Sequence, residues 1–293
     1  MPKSALRPRT MRTADVAAML GQSVDSLRAL ATSPENAYKT HLEPKPTGGH
    51  RLISVPSPTL KQWQRRFLRL VLARLASPRD LRAIVQKDHV KNARTHRAKR
   101  HVLTLDIADA FPSTSPRIVQ KRLRDIGFTA DCARLICRLC LTARELPQGA
   151  PTSNAILDIV LIDFDRALIR ACAHSDSTYT RYSDNLAFSS TNPLQGIERY
   201  AVRALKGMSY AVRDDKTQHG GAGVQVDITG IQTAKSLLVR PSTIERTQKR
   251  MKEAILSGEG VYGPAVAGAF NYVRRVNRRQ ASALLRSLPD ATG

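Results

Sequence analysis

The sequence predicts an α+β fold, and three observations carry that prediction. Short apolar strands end in polar turns around Leu105 and around Tyr182, longer stretches place apolar residues at helical spacing, and the two kinds alternate without βαβ regularity. The chain has 293 residues, 42% of them hydrophobic, enough to bury a core in one large domain or two to three subdomains. Lys and Arg number 47 against 24 Asp and Glu, a formal charge of +23. A chain this basic repels itself when compact, so its excess charge is expected to face a polyanion. Nucleic acid is the leading partner and an anionic membrane surface a distant second. No apolar run approaches the roughly 20 residues that cross a bilayer. Met1 to Thr10 carries positive charge without an apolar stretch behind it, so no signal peptide is expected. Composition thus argues against a membrane protein, a secreted disulfide scaffold and a disordered chain.

Taken in order, Asp15–Leu20 and Ser23–Leu30 read as short helices, with Ser23 an N-cap. Lys45 to Pro56 reads strand–turn–strand, with Gly48 and Gly49 at the bend. Leu60 to Leu75 has helical apolar spacing with Arg65, Arg66, Arg69 and Arg74 scattered through it, and Lys91 to His101 is a basic run. Cys132, Cys137, Cys140 and Cys172 show the C-x4-C-x2-C…C spacing of a plant-type iron–sulfur site. Residues 133–136 and 138–139 between them carry a helical apolar stripe, so these are expected to be buried free thiols suited to a reducing cytoplasm. Beyond residue 225 the composition shifts: Arg240 to Arg286 holds ten basic and three acidic residues, read as two helical stretches.

The chemistry concentrates in two strand ends. Leu103 to Phe111 is an apolar strand running into Asp106, a partly buried carboxylate that is costly without a cation. Thr180 to Phe188 is a second strand–turn–strand with Asp184 in its polar turn. If the strands are neighbours, Asp106 and Asp184 converge and can hold two Mg²⁺ ions about 3.5–4 Å apart, one activating a 3′-hydroxyl and one steadying a triphosphate leaving group. Alone, a Ser-Asp-Asn turn is usually only a turn and a strand-end Asp only a cap.

Between them lies Leu146-Pro147-Gln148-Gly149-Ala150-Pro151-Thr152-Ser153. With this segment the chain resembles the reverse transcriptases. Their palm reads D-x-x-x-x-F, L-P-Q-G-x-P-x-S and Y-x-D-D in that order, and here Asp106 with Phe111, Leu146 to Ser153, and Tyr182 to Asn185 follow it at intervals of 42 and 36 residues from Asp106 through Gln148 to Asp184. The resemblance implies a right-hand polymerase: an N-terminal extension at 1–40, fingers at 41–100 with help from 115–145, a palm at 101–225 and a basic helical thumb at 226–293. It implies Asp106 and Asp184 as catalytic metal ligands with the Ile107 backbone, and Mg²⁺ as the cofactor with Mn²⁺ as a substitute. It implies Lys45 and Arg51 as triphosphate grips, Phe111 as the residue that crowds the sugar 2′-hydroxyl, Gln148 and Gly149 against the template–nucleotide pair, and Lys216 near the pyrophosphate.

Asn92-Ala93-Arg94-Thr95-His96 resembles the N-A-x-x-H element of bacterial retron reverse transcriptases, and Ile228-Thr229-Gly230 their V-T-G element. The tail from Arg246 to Leu285 resembles their thumb. Asn92, His96, Thr229, Gly230, Arg274 and Arg275 are accordingly the expected RNA-binding residues. The branch implies a cytoplasmic enzyme that copies a cognate structured non-coding RNA into DNA from deoxynucleoside triphosphates. Synthesis is primed from an RNA 2′-hydroxyl and serves antiphage defence, with an effector protein and host RNase H as further partners. One departure stands out. Asn185 replaces the second hairpin aspartate; its amide oxygen can ligate a cation but brings no charge. Two alternatives therefore remain: another bacterial reverse transcriptase of abortive-infection or intron type, and an inactive polymerase fold serving as an RNA-binding scaffold.

Overall fold

A computed structural model of the chain describes residues 10–33, 38–45, 48–75, 78–221, 223–257 and 263–288. It begins with α1 (Thr13–Met19) and α2 (Val24–Thr32), then the hairpin β1 (Tyr38–Pro44) and β2 (His50–Pro56). Helix α3 (Pro58–Phe67) runs through a π turn into α4 (Ala73–Leu75), followed by α5 (His89–Thr95) and β3 (His101–Ala108). Next come α6 (Ala110–Ser113), α7 (Pro116–Asp125), α8 (Ala130–Cys140), α9 (Ser153–His174), β4 (Ser177–Tyr182), β5 (Asn185–Ser190) and α10 (Gln195–Gly207). Short strands β6 (Ala211–Val212), β7 (Gln218–Gly220), β8 (Val226–Ile228), β9 (Ile231–Thr233) and β10 (Leu237–Val239) precede α11 (Pro241–Leu256), α12 (Pro264–Val276) and α13 (Arg278–Arg286). The α+β expectation holds.

The chain forms two compact units. The first comprises Met1–Val85, Ala108–Ala167 and Leu205–Ala211; the second comprises Gln86–Ile107, Leu168–Ala204 and Val212–Gly293. In the first unit, helices start where the sequence supplies caps. Ser23, Ser57, Ser115 and Thr129 each accept a backbone N–H of the following turn, and Pro58 and Pro116 stand where a missing N–H costs nothing. Trp63 stacks on Phe67 with centroids 4.9 Å apart and donates to Gln22 Oε1 at 3.1 Å, giving the lone Trp both an apolar and a polar partner. The cysteine spacing lies on helix as read: Cys132, Cys137 and Cys140 line the buried face of α8, and all four cysteines are free and buried. Burial pushes the Cys132 thiol up to about 12, which leaves it inert at neutral pH.

The second unit is built around the antiparallel ladder β4–β5–β3, with β6 at the far edge and β7 also paired to β3. A separate three-stranded sheet, ordered β10–β9–β8, packs with α11, α12 and α13 through Ile231, Met251, Phe270 and Val273. Among the described residues the tail forms three helices rather than two. Asn277 ends α12 in an extended conformation and caps α13 by accepting the Gln280 N–H at 3.1 Å. Thr229 and Gly230 join β8 to β9 as a two-residue turn with φ of 52° and 89°, the pair of positive values that suits a twisted hairpin.

Candidate active site

The β3 strand is buried along Val102–Ile107, so its Asp106 is desolvated; only 9% of the residue is exposed. Antiparallel pairing places Asp106 directly opposite Asn185 at the start of β5. The β4–β5 hairpin closes through Ser183 and Asp184 alone, since Tyr182 pairs with Asn185. Ser183 adopts φ 57°, and the fully buried Arg181 holds it by donating from Nη1 to its carbonyl oxygen at 2.8 Å. The Ile107 N–H donates to the Asp184 carbonyl at 3.0 Å, and the Arg213 N–H to the Asp106 carbonyl at 2.9 Å. Asp106 on β3 and Asp184 in the turn before β5 are thus fixed by backbone bonds.

Electrostatics follow from that placement. Burial first, and the Asp106 carboxylate second, raise the pKa of Asp184; Lys216 and the Asn185 amide pull it back. Asn185 Nδ2 donates to Asp184 Oδ1 at 3.0 Å, a buttress the sequence did not suggest. Lys216 Nζ lies 3.3 Å from both oxygens of Asp106, so the lysine expected near a pyrophosphate sits on the strand carboxylate. Two carboxylates, one raised in pKa by burial and then by the other's charge, with hard oxygen donors and a flanking amide, fit a divalent cation. Among the described residues no cluster of three or more His, Cys, Asp or Glu side chains forms, so the donor set rests on this pair.

The remaining expected residues fall into two groups. In the first unit, Lys45 closes the β1–β2 bend by backbone bonds with Gly48 and Gly49, and Arg51 pairs across the hairpin with Glu43 at 3.1 Å. Phe111 is half-buried on α6. Gln148 accepts the Ser54 N–H at 2.7 Å, and Gly149 has φ 112° with space for no side chain: a Cβ there would meet Ile53 Cγ2 at 2.9 Å. The Leu-Pro-Gln-Gly loop therefore seats on β2. In the second unit, Arg274 and Arg275 are exposed on α12 and, with Arg94, Asn271 and Arg278, line a basic groove of about 870 Å³. Arg275 also pairs with Asp88, the N-cap of α5. Thr229 donates to the His89 carbonyl at 3.2 Å. Asn92 and His96 are wholly buried, which turns them away from any RNA surface. Sequence reasoning missed Arg181, Asp88, His89 and Thr180; only Asp88, a cap residue one step before a helix, carried a local signal.

Residues 43–233 match the family described as Reverse transcriptase (RNA-dependent DNA polymerase). The backbone resembles that of apo telomerase from Candida tropicalis, with a TM-score of 0.54 at 11% identity over 87% of this chain and 58% of that one. The chain belongs to the reverse transcriptase family, the RNA-dependent DNA polymerases. Its curated relatives include retron enzymes. It is 30% identical to the Retron Mx65 reverse transcriptase of Myxococcus xanthus over 93% of this chain and 70% of the relative. It is also 30% identical to the Retron Mx162 reverse transcriptase of the same organism, over 74% of this chain and 52% of the relative. The chain thus spans between about half and seven-tenths of the length of these relatives. Among the described residues no helix is long and apolar enough to cross a membrane.

Proposed function

We propose that the chain is a cytoplasmic retron-type reverse transcriptase that copies a structured non-coding RNA into DNA, primed from an RNA 2′-hydroxyl, within antiphage defence. The observation that carries the chemistry is the register that sets Asp106 opposite Asn185, with Asp184 beside it. Two Mg²⁺ ions held by Asp106, Asp184 and the Ile107 carbonyl, or Mn²⁺ in their stead, would supply charge neutralisation at the attacking and leaving oxygens. Asn185 orients Asp184, and Lys216 balances Asp106 until substrate and cations arrive. Lys45 and Arg51 grip the deoxynucleoside triphosphate, Phe111 bounds the sugar, and Gln148 with Gly149 supports the template pair. Arg274 and Arg275 face the duplex or RNA backbone, which predicts steep salt dependence. The division into extension, fingers, palm and thumb at 1–40, 41–100, 101–225 and 226–293 belongs to this reading, as do the effector protein and host RNase H.

The test is primer extension on an RNA template in Mg²⁺ and in Mn²⁺, with Asp184→Ala as control. Product that disappears in the mutant, by a factor on the order of 10³ or more, supports the assignment. Synthesis retained in Asp184→Ala overturns it. A second reading, an RNA-binding scaffold, is favoured by the uncharged Asn185 alone; a silent parent that Asn185→Asp awakens would select it.

A further inference from the structure

We propose that the Asn92-to-His96 element is a positioning device for the catalytic hairpin, acting through Thr180, rather than a surface that reads RNA. The inference deepens the polymerase reading and rests on it. Asn92, midway along α5, and His96, its C-cap, lie four residues apart on one face. Both are 0% exposed. Thr180 Oγ1 donates to Asn92 Oδ1 at 2.5 Å, which uses its only hydrogen. The 2.7 Å contact between Thr180 Oγ1 and His96 Nε2 must then have the imidazole as donor. His96 Nδ1 is left as an acceptor, and the Ser189 hydroxyl donates to it across 2.8 Å. One ordered chain, Ser189 to His96 to Thr180 to Asn92, therefore runs through a neutral imidazole. Burial, with Lys99 adding to it, holds His96 at about 3, in keeping with that proton count.

The chain ties both strands of the hairpin to one helix, because Thr180 stands on β4 and Ser189 on β5. From Thr180 the strand has two residues left before a turn with no slack, and that turn presents Asp184. At its other end α5 meets the hairpin again: the His89 ring packs edge-on to Tyr182, centroids 6.4 Å apart, and stacks on Tyr272 of α12 at 5.5 Å. Asp184 is thereby held against Asp106 despite their like charges. Asn92 and His96 are positioning residues in this scheme, and neither touches the reacting atoms.

Thr180→Val keeps shape but leaves the His96 donor and the Asn92 acceptor unpaired; Thr180→Ser restores the hydroxyl. Four quantities are measured on the full chain: kcat and KM per active site on a generic RNA template, Mn²⁺ affinity by electron paramagnetic resonance, and RNA affinity by filter binding. Thr180→Val is expected to lower kcat about tenfold and weaken Mn²⁺ binding about threefold, with KM and RNA affinity within about twofold of the parent, and Thr180→Ser to recover both losses. If Thr180→Val does not fold, judged by circular dichroism, Ser189→Ala removes only the outer hydroxyl and is expected to show the same pattern at about a third of the size. Unchanged kcat and Mn²⁺ affinity, or a loss of RNA affinity exceeding that of kcat, overturns the proposal. A parent that makes no DNA counts against the polymerase reading alone, and the Mn²⁺ measurement then decides the positioning role by itself.

Discussion

Two hairpins written in the same local grammar meet opposite fates. In β4–β5, Tyr179, Thr180, Arg181, Ala187, Phe188 and Ser189 are all buried, and Tyr179 stacks on Phe188 with centroids 4.9 Å apart. In β1–β2, Leu42 and Leu52 face each other across the ladder at 65% and 48% exposure, and the flanking Glu43–Arg51 pair is open to water. Both alternate strand, polar bend and strand. The difference lies in what each presents: like charges must be held together by a frame that cannot relax, whereas the triphosphate grip proposed for Lys45 and Arg51 needs only reach and exposure. Burial on β4–β5 makes the close carboxylates costlier before any cation binds, and the fixed backbone, the Lys216 ammonium and the Asn185 amide offset that cost.

Arg181 offers the sharpest way to break that contrast. Its guanidinium is fully buried and secures the left-handed Ser183. Arg181→Met keeps the apolar stem and removes the donors, so the Ser183 carbonyl loses its charged partner. Urea denaturation is expected to show about 3 kcal/mol lost stability. A loss below about 1 kcal/mol, the scale of an exposed pair, would mean the β4–β5 hairpin is no better anchored than β1–β2.

The asymmetry also marks what a sequence can disclose. Asp106 at the end of an apolar strand and Asp184 in a polar two-residue turn were both visible, because strand period and turn chemistry act over a few neighbours. So were the α8 helix under its misleading cysteine spacing and the bend at Gly48 and Gly49. His96 was visible as a motif letter and misjudged as a surface: Lys91 to His101 is a basic run, and only packing against Thr180 and Ser189, 84 and 93 residues away, puts its ring inside. Arg181 gave no signal at all, since one arginine in a strand reads as an outward residue unless both faces are known to be covered. The break of the basic tail at Asn277 was lost for a similar reason, a cap hidden among helix-forming neighbours.

His96 sharpens the comparison through pH. Its folded pKa of about 3 lies below the roughly 6.5 of an unfolded imidazole, so on acidification the unfolded chain takes up a proton that the folded chain refuses. The contribution is therefore intact above about pH 6.5 and declines as pH falls toward 3, reaching about 2 kcal/mol of lost stability at pH 5. His96→Gln is expected to be less stable at pH 7 yet to lack this share of the slope. Equal slopes in parent and variant would show that the imidazole is not held neutral in the interior.

The smallest effect belongs to the exposed hairpin. Arg51 is engaged by Glu43 at 3.1 Å, so a triphosphate that uses Arg51 must first displace a carboxylate. Glu43→Gln removes that competitor and keeps the shape of the side chain. Because the pair is solvent-exposed, stability should change by no more than about 0.5 kcal/mol. The KM for deoxynucleoside triphosphate should fall about two- to threefold at low salt, and the gain should fade as ionic strength rises and screens the pair. Arg51→Ala should move KM the other way. An unchanged KM in Glu43→Gln at every salt concentration would take Arg51 out of the triphosphate grip, leaving β1–β2 an exposed hairpin whose charges serve only each other.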